Sequence, residues 1–189
     1  MLSWFHKALR RFSVKDLILI AAMAALGLAV KSIVTPLIQL ASAPLFIPGG
    51  SLAGGLYMMW LVIAAGITGK RGSATLTGLV QAILVLLTGL GGSHGALSLI
   101  SYTLPGLAID LLLLISRHRA CCLPCAFSSC LLANLAGTAA VNFIFFSLPL
   151  IPLLLSLAAA AFSGGVGGVL SWRLLVALRK YNIIPHQNS

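Results

Sequence analysis

Only two side chains in this chain are acidic, Asp16 and Asp110. General acid–base pairs and acidic metal sites use two or more carboxylates, so neither is available within one chain. Gly49, Gly50 and Ser51 have the outline of a nucleophile loop, but a serine needs a base held beside it. Of the four histidines, only His94 falls outside the segments that the charge pattern places in the cytoplasm, and it belongs to a different connection. Cys121, Cys122, Cys125 and Cys130 cluster near one cytoplasmic turn, where thiols stay reduced and a disulfide framework is not expected. Cys-Cys-x-x-Cys with His118 nearby offers zinc-ligand types. Packing is the favoured reading, because free cysteine is a common small apolar residue of buried helices. No Gly-Lys-Ser/Thr or other nucleotide loop occurs. The chain reads as a non-enzyme with no cofactor, and ATP hydrolysis, if it drives any work here, belongs to another chain.

What remains are polar side chains stranded in apolar runs. Each costs a few kcal/mol to place in hydrocarbon and so normally faces an interior or a cavity. Lys31 lies about 22 Å along a helix from Asp16 at 1.5 Å per residue, near the outer end. It either snorkels to headgroups or faces a carboxylate or phosphate of a ligand. Asp110 sits about 10 Å from the inner end of its helix, where it either reaches an arginine or hydroxyl or anchors a ligand. Gln81, Asn134 and Asn142 add amides at middle and outer depth, with helix-to-helix bonding the common role for Asn134. Tyr102, His94 and Asn142 share the outer half, where a small aromatic ligand could be stacked and hydrogen-bonded. Tyr57 and Trp60 face the same region or act as interfacial anchors. Ala21, Ala25 and Ala29 recur every four residues, a smooth face for internal packing or for a partner helix. Ser163 to Gly168 is a second small-residue segment, either a tight crossing or a flexible point.

The elements that must position these residues are membrane spans. The chain is 60% hydrophobic and 7% charged with a mean hydropathy of +1.10, whereas a soluble domain carries roughly 25% charged residues. Apolar runs of about 20 residues fall at 16–36, 52–68, 73–90, 97–116, 121–146 and 150–172. The first is too long for a signal-peptide core and reads as a retained span. Lys7, Arg10, Arg11 and Lys15 precede the first run, Lys70 and Arg71 follow the second, Arg117 and Arg119 the fourth, and Arg173, Arg179 and Lys180 the sixth. The connections 37–51, 89–96 and 147–152 carry no Lys or Arg. By the positive-inside rule the basic connections are cytoplasmic and the others external, giving an all-α bundle of six transmembrane helices with both termini inside. Residues 1–15 form a basic cytoplasmic segment, 16–180 the membrane domain and 181–189 a cytoplasmic tail. The net charge of +10 lies in short runs between spans with no basic face, so nucleic acid is not a partner.

A chain of 189 residues with this topology, an Ala-x-x-x-Ala face on the first helix and no ATPase motif resembles the substrate-binding S component of an energy-coupling factor (ECF) vitamin transporter. The resemblance covers about residues 13–180. It is carried by Pro-Gly-Gly-Ser-Leu-Ala-Gly-Gly-Leu-Tyr-Met-Met-Trp over 48–60 and by Gly69-Lys70-Arg71-Gly72. Asp110 is similar in placement to a carboxylate of S components associated with thiamine precursors. The resemblance implies a multi-pass protein of the bacterial plasma membrane that captures a vitamin or precursor from outside. It then docks through Ala21, Ala25 and Ala29 on a membrane coupling (T) protein with two ABC ATPases, and topples to deliver the ligand inward. Segments 37–51 and 89–98 would be lids. A thiamine-related pyrimidine is favoured as ligand, with a cobalamin-type corrinoid as the alternative. A stand-alone channel or secondary carrier is the competing reading, although inverted repeats and several intramembrane charges are missing. A membrane assembly subunit is the third.

Overall fold

The computed structural model describes residues 12–42, 49–89, 97–117, 122–146 and 149–181. They form α1 (Val14–Ser42), α2 (Gly49–Thr68), α3 (Ser73–Thr88), α4 (Ser98–Ile115), α5 (Leu123–Val141) and α6 (Leu150–Lys180), with a π turn, Asn142–Phe146, continuing α5. Without water to satisfy backbone groups, an apolar run closes its hydrogen bonds within itself as a helix. Five of the helices are long and apolar enough to cross a membrane. The sixth, α3, has 16 residues and spans about 24 Å at 1.5 Å per residue, short of the hydrocarbon thickness of about 30 Å.

The cytoplasmic starts are built from polar pairs. Ser13 and Asp16 form a capping box on α1: the Ser13 amide and hydroxyl donate to Asp16 Oδ2 at 2.8 and 2.9 Å, and the Asp16 amide donates to Ser13 Oγ at 3.3 Å. This satisfies amides that the first turn leaves without helical partners. Lys70 closes on the same Oδ2 at 2.5 Å, tying the α2–α3 turn to the foot of α1. In that turn Gly69 and Gly72 have φ of 59° and 90°, a region other residues adopt only with strain.

Two helix ends differ from expectation. α1 was expected to stop at Pro36, yet it runs through Pro36 to Ser42. A proline removes a single amide donor, and in hydrocarbon the surrounding backbone bonds are costly to abandon. α6 continues beyond the expected end at 172 to Lys180. Its 31 residues make about 46 Å, so Arg173, Arg179 and Lys180 stand on turns past the apolar layer, with two cations at the negative end of the helix dipole.

α2 lies at the centre, packed against α1, α3, α5 and α6, and is buried along most of its length. Its crossing with α6 is a close approach of two backbones. The Ser163 hydroxyl donates to Leu52 O at 2.5 Å and accepts from the Gly55 amide at 2.9 Å. A methyl on Gly55 would occupy the place of the Ser163 carbonyl, and one on Gly167 that of the Gly55 carbonyl. Ser163–Gly168 is thus a tight crossing inside a continuous helix, not a flexible point. Asn134 bridges α5 to both partners, its amide donating to Ser51 O at 3.1 Å and Ala160 O at 2.8 Å. The outer faces carry Ile18, Ile33, Leu87, Ile115, Phe143 and Phe162, all exposed, as lipid-facing surfaces require.

Candidate ligand-binding site

α1 rises from the cytoplasmic side and α2 descends beside it, so Lys31, about 26 Å from the start of α1, meets the outer half of α2. Its ammonium does not snorkel to headgroups. It turns inward, donates a hydrogen bond to the Tyr102 hydroxyl on α4, and lies 4.2 Å from the Tyr102 ring centre and 5.4 Å from that of Tyr57. Both distances are in the range where a cation is attracted to an aromatic face. Both tyrosines are buried, and Tyr57 is oriented by donating to Gly50 O at 3.1 Å. The outer start of α2 therefore sets one wall, while Leu28, Ala82 and Val85 pack around Tyr102 and set the other.

One turn deeper, Gly27 faces α2 and α3. A side chain there would overlap the Gln81 amide nitrogen and come within 3.4 Å of Trp60 Cβ. Gln81 is buried, and the Trp60 indole nitrogen is buried with no hydrogen-bond partner among the described residues. A buried donor without an acceptor costs about 1–3 kcal/mol. Lys31, Tyr57 and Tyr102 thus form one cluster, with Gln81 and Trp60 beneath it. Asn142 is buried in the π turn at the outer end of α5, a distortion frequent at functional sites. His94, residues 43–48 of segment 37–51 and residues 90–96 of segment 89–98 lie outside the described residues.

Asp110 is not brought to this cluster. It is eight residues, about 12 Å, beyond Tyr102 towards the cytoplasm, where its carboxylate caps α3 from a neighbouring helix. Oδ1 accepts from the Gly72 amide at 3.1 Å, and Oδ2 accepts from the Thr75 amide and hydroxyl at 2.7 and 2.6 Å. Gly72 stands at the N-cap of α3 and has no side chain to do this, so the acid comes from α4. Of the two roles open to Asp110, the structure shows the bond to a neighbouring helix's hydroxyl, with both carboxylate oxygens engaged by Gly72 and Thr75. Thr75 is the hydroxyl partner that the sequence left unnamed, and its adjacency to a glycine N-cap was the available signal.

The electrostatic result is an asymmetry. Asp16 and Asp110, the only acids, are both engaged at cytoplasmic helix starts, so the Lys31 ammonium has ring faces and a phenol around it but no carboxylate. Such a site favours hydrogen-bond acceptors and planar rings over cations. Among the described residues no group of three His, Cys, Asp or Glu could hold a metal ion. On α1, Ala21, Ala25 and Ala29 are exposed while Ala24, Gly27 and Leu28 turn inward.

Comparison with known proteins agrees with this architecture. Residues 15–136 match the family model described as "ABC-type cobalt transport system, permease component". A solved structure titled "Crystal structure of an S-component of ECF transporter" superposes with a TM-score of 0.76 at 20% sequence identity, covering 91% of this chain and 88% of that one. No curated protein matches significantly. With more than half of its length matched, this multi-pass membrane chain belongs to the family of ABC-type cobalt transport system permease components, and it has the fold of an ECF S component.

Proposed function

We propose that this chain is the substrate-binding S component of an ECF-type importer in a bacterial plasma membrane, and that its ligand is a thiamine-related pyrimidine. The observation that carries the reading is the inward-turned Lys31 between Tyr57 and Tyr102 in the outer half of the bundle. A planar aminopyrimidine can stack on a tyrosine face, and its ring nitrogen or hydroxyl can accept from the Lys31 ammonium in place of the Tyr102 oxygen. Gln81, Trp60 and Asn142 would supply further donors from below and beside the ring, and His94 from the loop above. The family name mentions cobalt, but a bare divalent ion needs imidazole, thiolate or carboxylate donors, and an ammonium repels it. An organic ligand therefore fits this cluster better.

Delivery would use partners. The exposed Ala21, Ala25 and Ala29 face lets another helix approach closely, which suits docking on a T component bound to two ABC ATPases. The test is titration calorimetry of the purified full-length protein with the aminopyrimidine alcohol precursor of thiamine, thiamine and cobalamin, in wild type and Lys31→Met. The expected result is pyrimidine binding that Lys31→Met weakens by about 10- to 100-fold. Binding of cobalamin alone, or pyrimidine binding indifferent to Lys31, would overturn the assignment.

A further inference from the structure

Cys122, Leu123, Pro124 and Cys125 open α5 at the cytoplasmic side. Cys122 is the N-cap, with φ −121° and ψ 159°, and Cys125 is the third helical residue, so both thiols fall on one turn. Their sulfurs are 2.7 Å apart. Both residues are half-buried, whereas Cys130, two turns further in, is fully buried against Gly55 O at 3.8 Å. Packing explains Cys130. It does not explain Cys122: an N-cap side chain earns its place by accepting from amides of the first turn, and Cys122 makes no such bond.

We propose that Cys122 and Cys125 are a redox-active dithiol on the cytoplasmic face, which a low-molecular-weight disulfide oxidises to an intrahelical disulfide by thiol–disulfide exchange. Two cysteines with two residues between them at a helix start is the arrangement that dithiol oxidoreductases use. The Cys122 thiolate attacks one sulfur of R–S–S–R. That S–S bond breaks, a mixed disulfide forms, and the departing RS⁻ takes up the proton released by Cys122. Cys125 then attacks the Cys122 sulfur of the mixed disulfide, its proton passing to the second RS⁻. The dithiol loses two hydrogens and two electrons, and the external disulfide is reduced to two RSH. A sulfur–sulfur bond of about 2.05 Å requires only side-chain rotation from the observed separation. Cys125 is the resolving thiol because it is tucked against the core cluster, while Cys122 precedes the apolar span.

The site is remote from Lys31 and does not depend on the ligand reading. To test it, the full-length protein in lipid nanodiscs is equilibrated with mixtures of reduced and oxidised glutathione, quenched with an alkylating reagent and mapped by peptide mass spectrometry. Cys122 and Cys125 should lose their alkylation together, within about tenfold of the glutathione ratio at which cytosolic dithiol enzymes are half-oxidised, and regain it on reduction. Cys125→Ser should retain one glutathione on Cys122, Cys122→Ser should retain little, and Cys130→Ser should titrate as wild type. A bond from Cys122 to Cys121 instead, thiols that stay alkylated at every glutathione ratio, or bound zinc in the purified protein would each overturn the proposal.

Discussion

Replacing Asp110 by Asn separates two roles that a carboxylate within a membrane helix could have. In the structure the acid accepts three hydrogen bonds from Gly72 and Thr75. Asn keeps one oxygen acceptor but presents an NH₂ where the other oxygen stood, facing an amide donor. The loss combines a helix cap worth about 1 kcal/mol, a favourable charge at a helix start worth about 0.3–1 kcal/mol, and one N–H left without an acceptor at about 1 kcal/mol or more. The sum is about 2–3 kcal/mol. At about 2–4 °C per kcal/mol for a chain of this size, the midpoint of thermal unfolding should fall by about 4–12 °C.

The assay is thermal unfolding in one detergent, followed by ligand titration at a temperature where both proteins are folded. Affinity for the pyrimidine should stay within about twofold, because the cap lies about 12 Å from Tyr102 along α4. If Asp110 instead touched the ligand, losing a charge-assisted hydrogen bond of about 1.5–3 kcal/mol would weaken binding by roughly 10- to 100-fold. A variant of wild-type stability with lost binding would falsify the capping account.

Lys31→Met should leave the unfolding midpoint near that of wild type, since an apolar chain replaces a cation in an apolar setting, while pyrimidine affinity measured by calorimetry drops by about 10- to 100-fold. Gly167→Ala places a methyl where the Gly55 carbonyl stands. The α2–α6 crossing should open at a cost of about 1–3 kcal/mol, read as a lower midpoint and a smaller monodisperse fraction on size exclusion. Ala25→Leu alters an exposed position on α1, so stability and ligand affinity should be unchanged while co-purification with the T component and ATPases is lost.

The arrangement of the helices was legible because charge and hydropathy act on whole segments. Every Lys and Arg except Lys31 fell into the connections on one side, and the positive-inside rule needs nothing more local than that. Two helix ends were not legible. Whether Pro36 ends a helix depends on what surrounds the amide it removes, and the sequence does not say that α1 is still in apolar surroundings there. The aromatic cluster was partly legible, since Lys31, Tyr57 and Tyr102 stood out as polar or amphipathic groups at similar depth. Their mutual contact was not, because it depends on the azimuth of three helices. Which of its two readings Asp110 takes was open in the sequence for the same reason. Its depth was correct, but its partner Thr75 is 35 residues earlier, reached across a helix pair that the tight Gly69–Gly72 turn brings together.

The placement of the two acids also bears on how transport could be driven. A secondary carrier couples solute movement to protons or sodium through carboxylates that are exposed in turn to either side. Here Asp16 holds the start of α1 and Lys70, and Asp110 holds the start of α3. Releasing either carboxylate to bind an ion would undo the cap it makes, so coupling would have to overcome about 1–2 kcal/mol of local helix stability in each cycle. The outer cluster offers no alternative, since its one ionisable cation, Lys31, lies between tyrosines without a carboxylate beside it. Under the proposed function, acids committed to helix caps leave energy input to contact with another protein, as the importer reading requires. The proposed docking face, Ala21, Ala25 and Ala29 on α1, is exposed and made of small side chains.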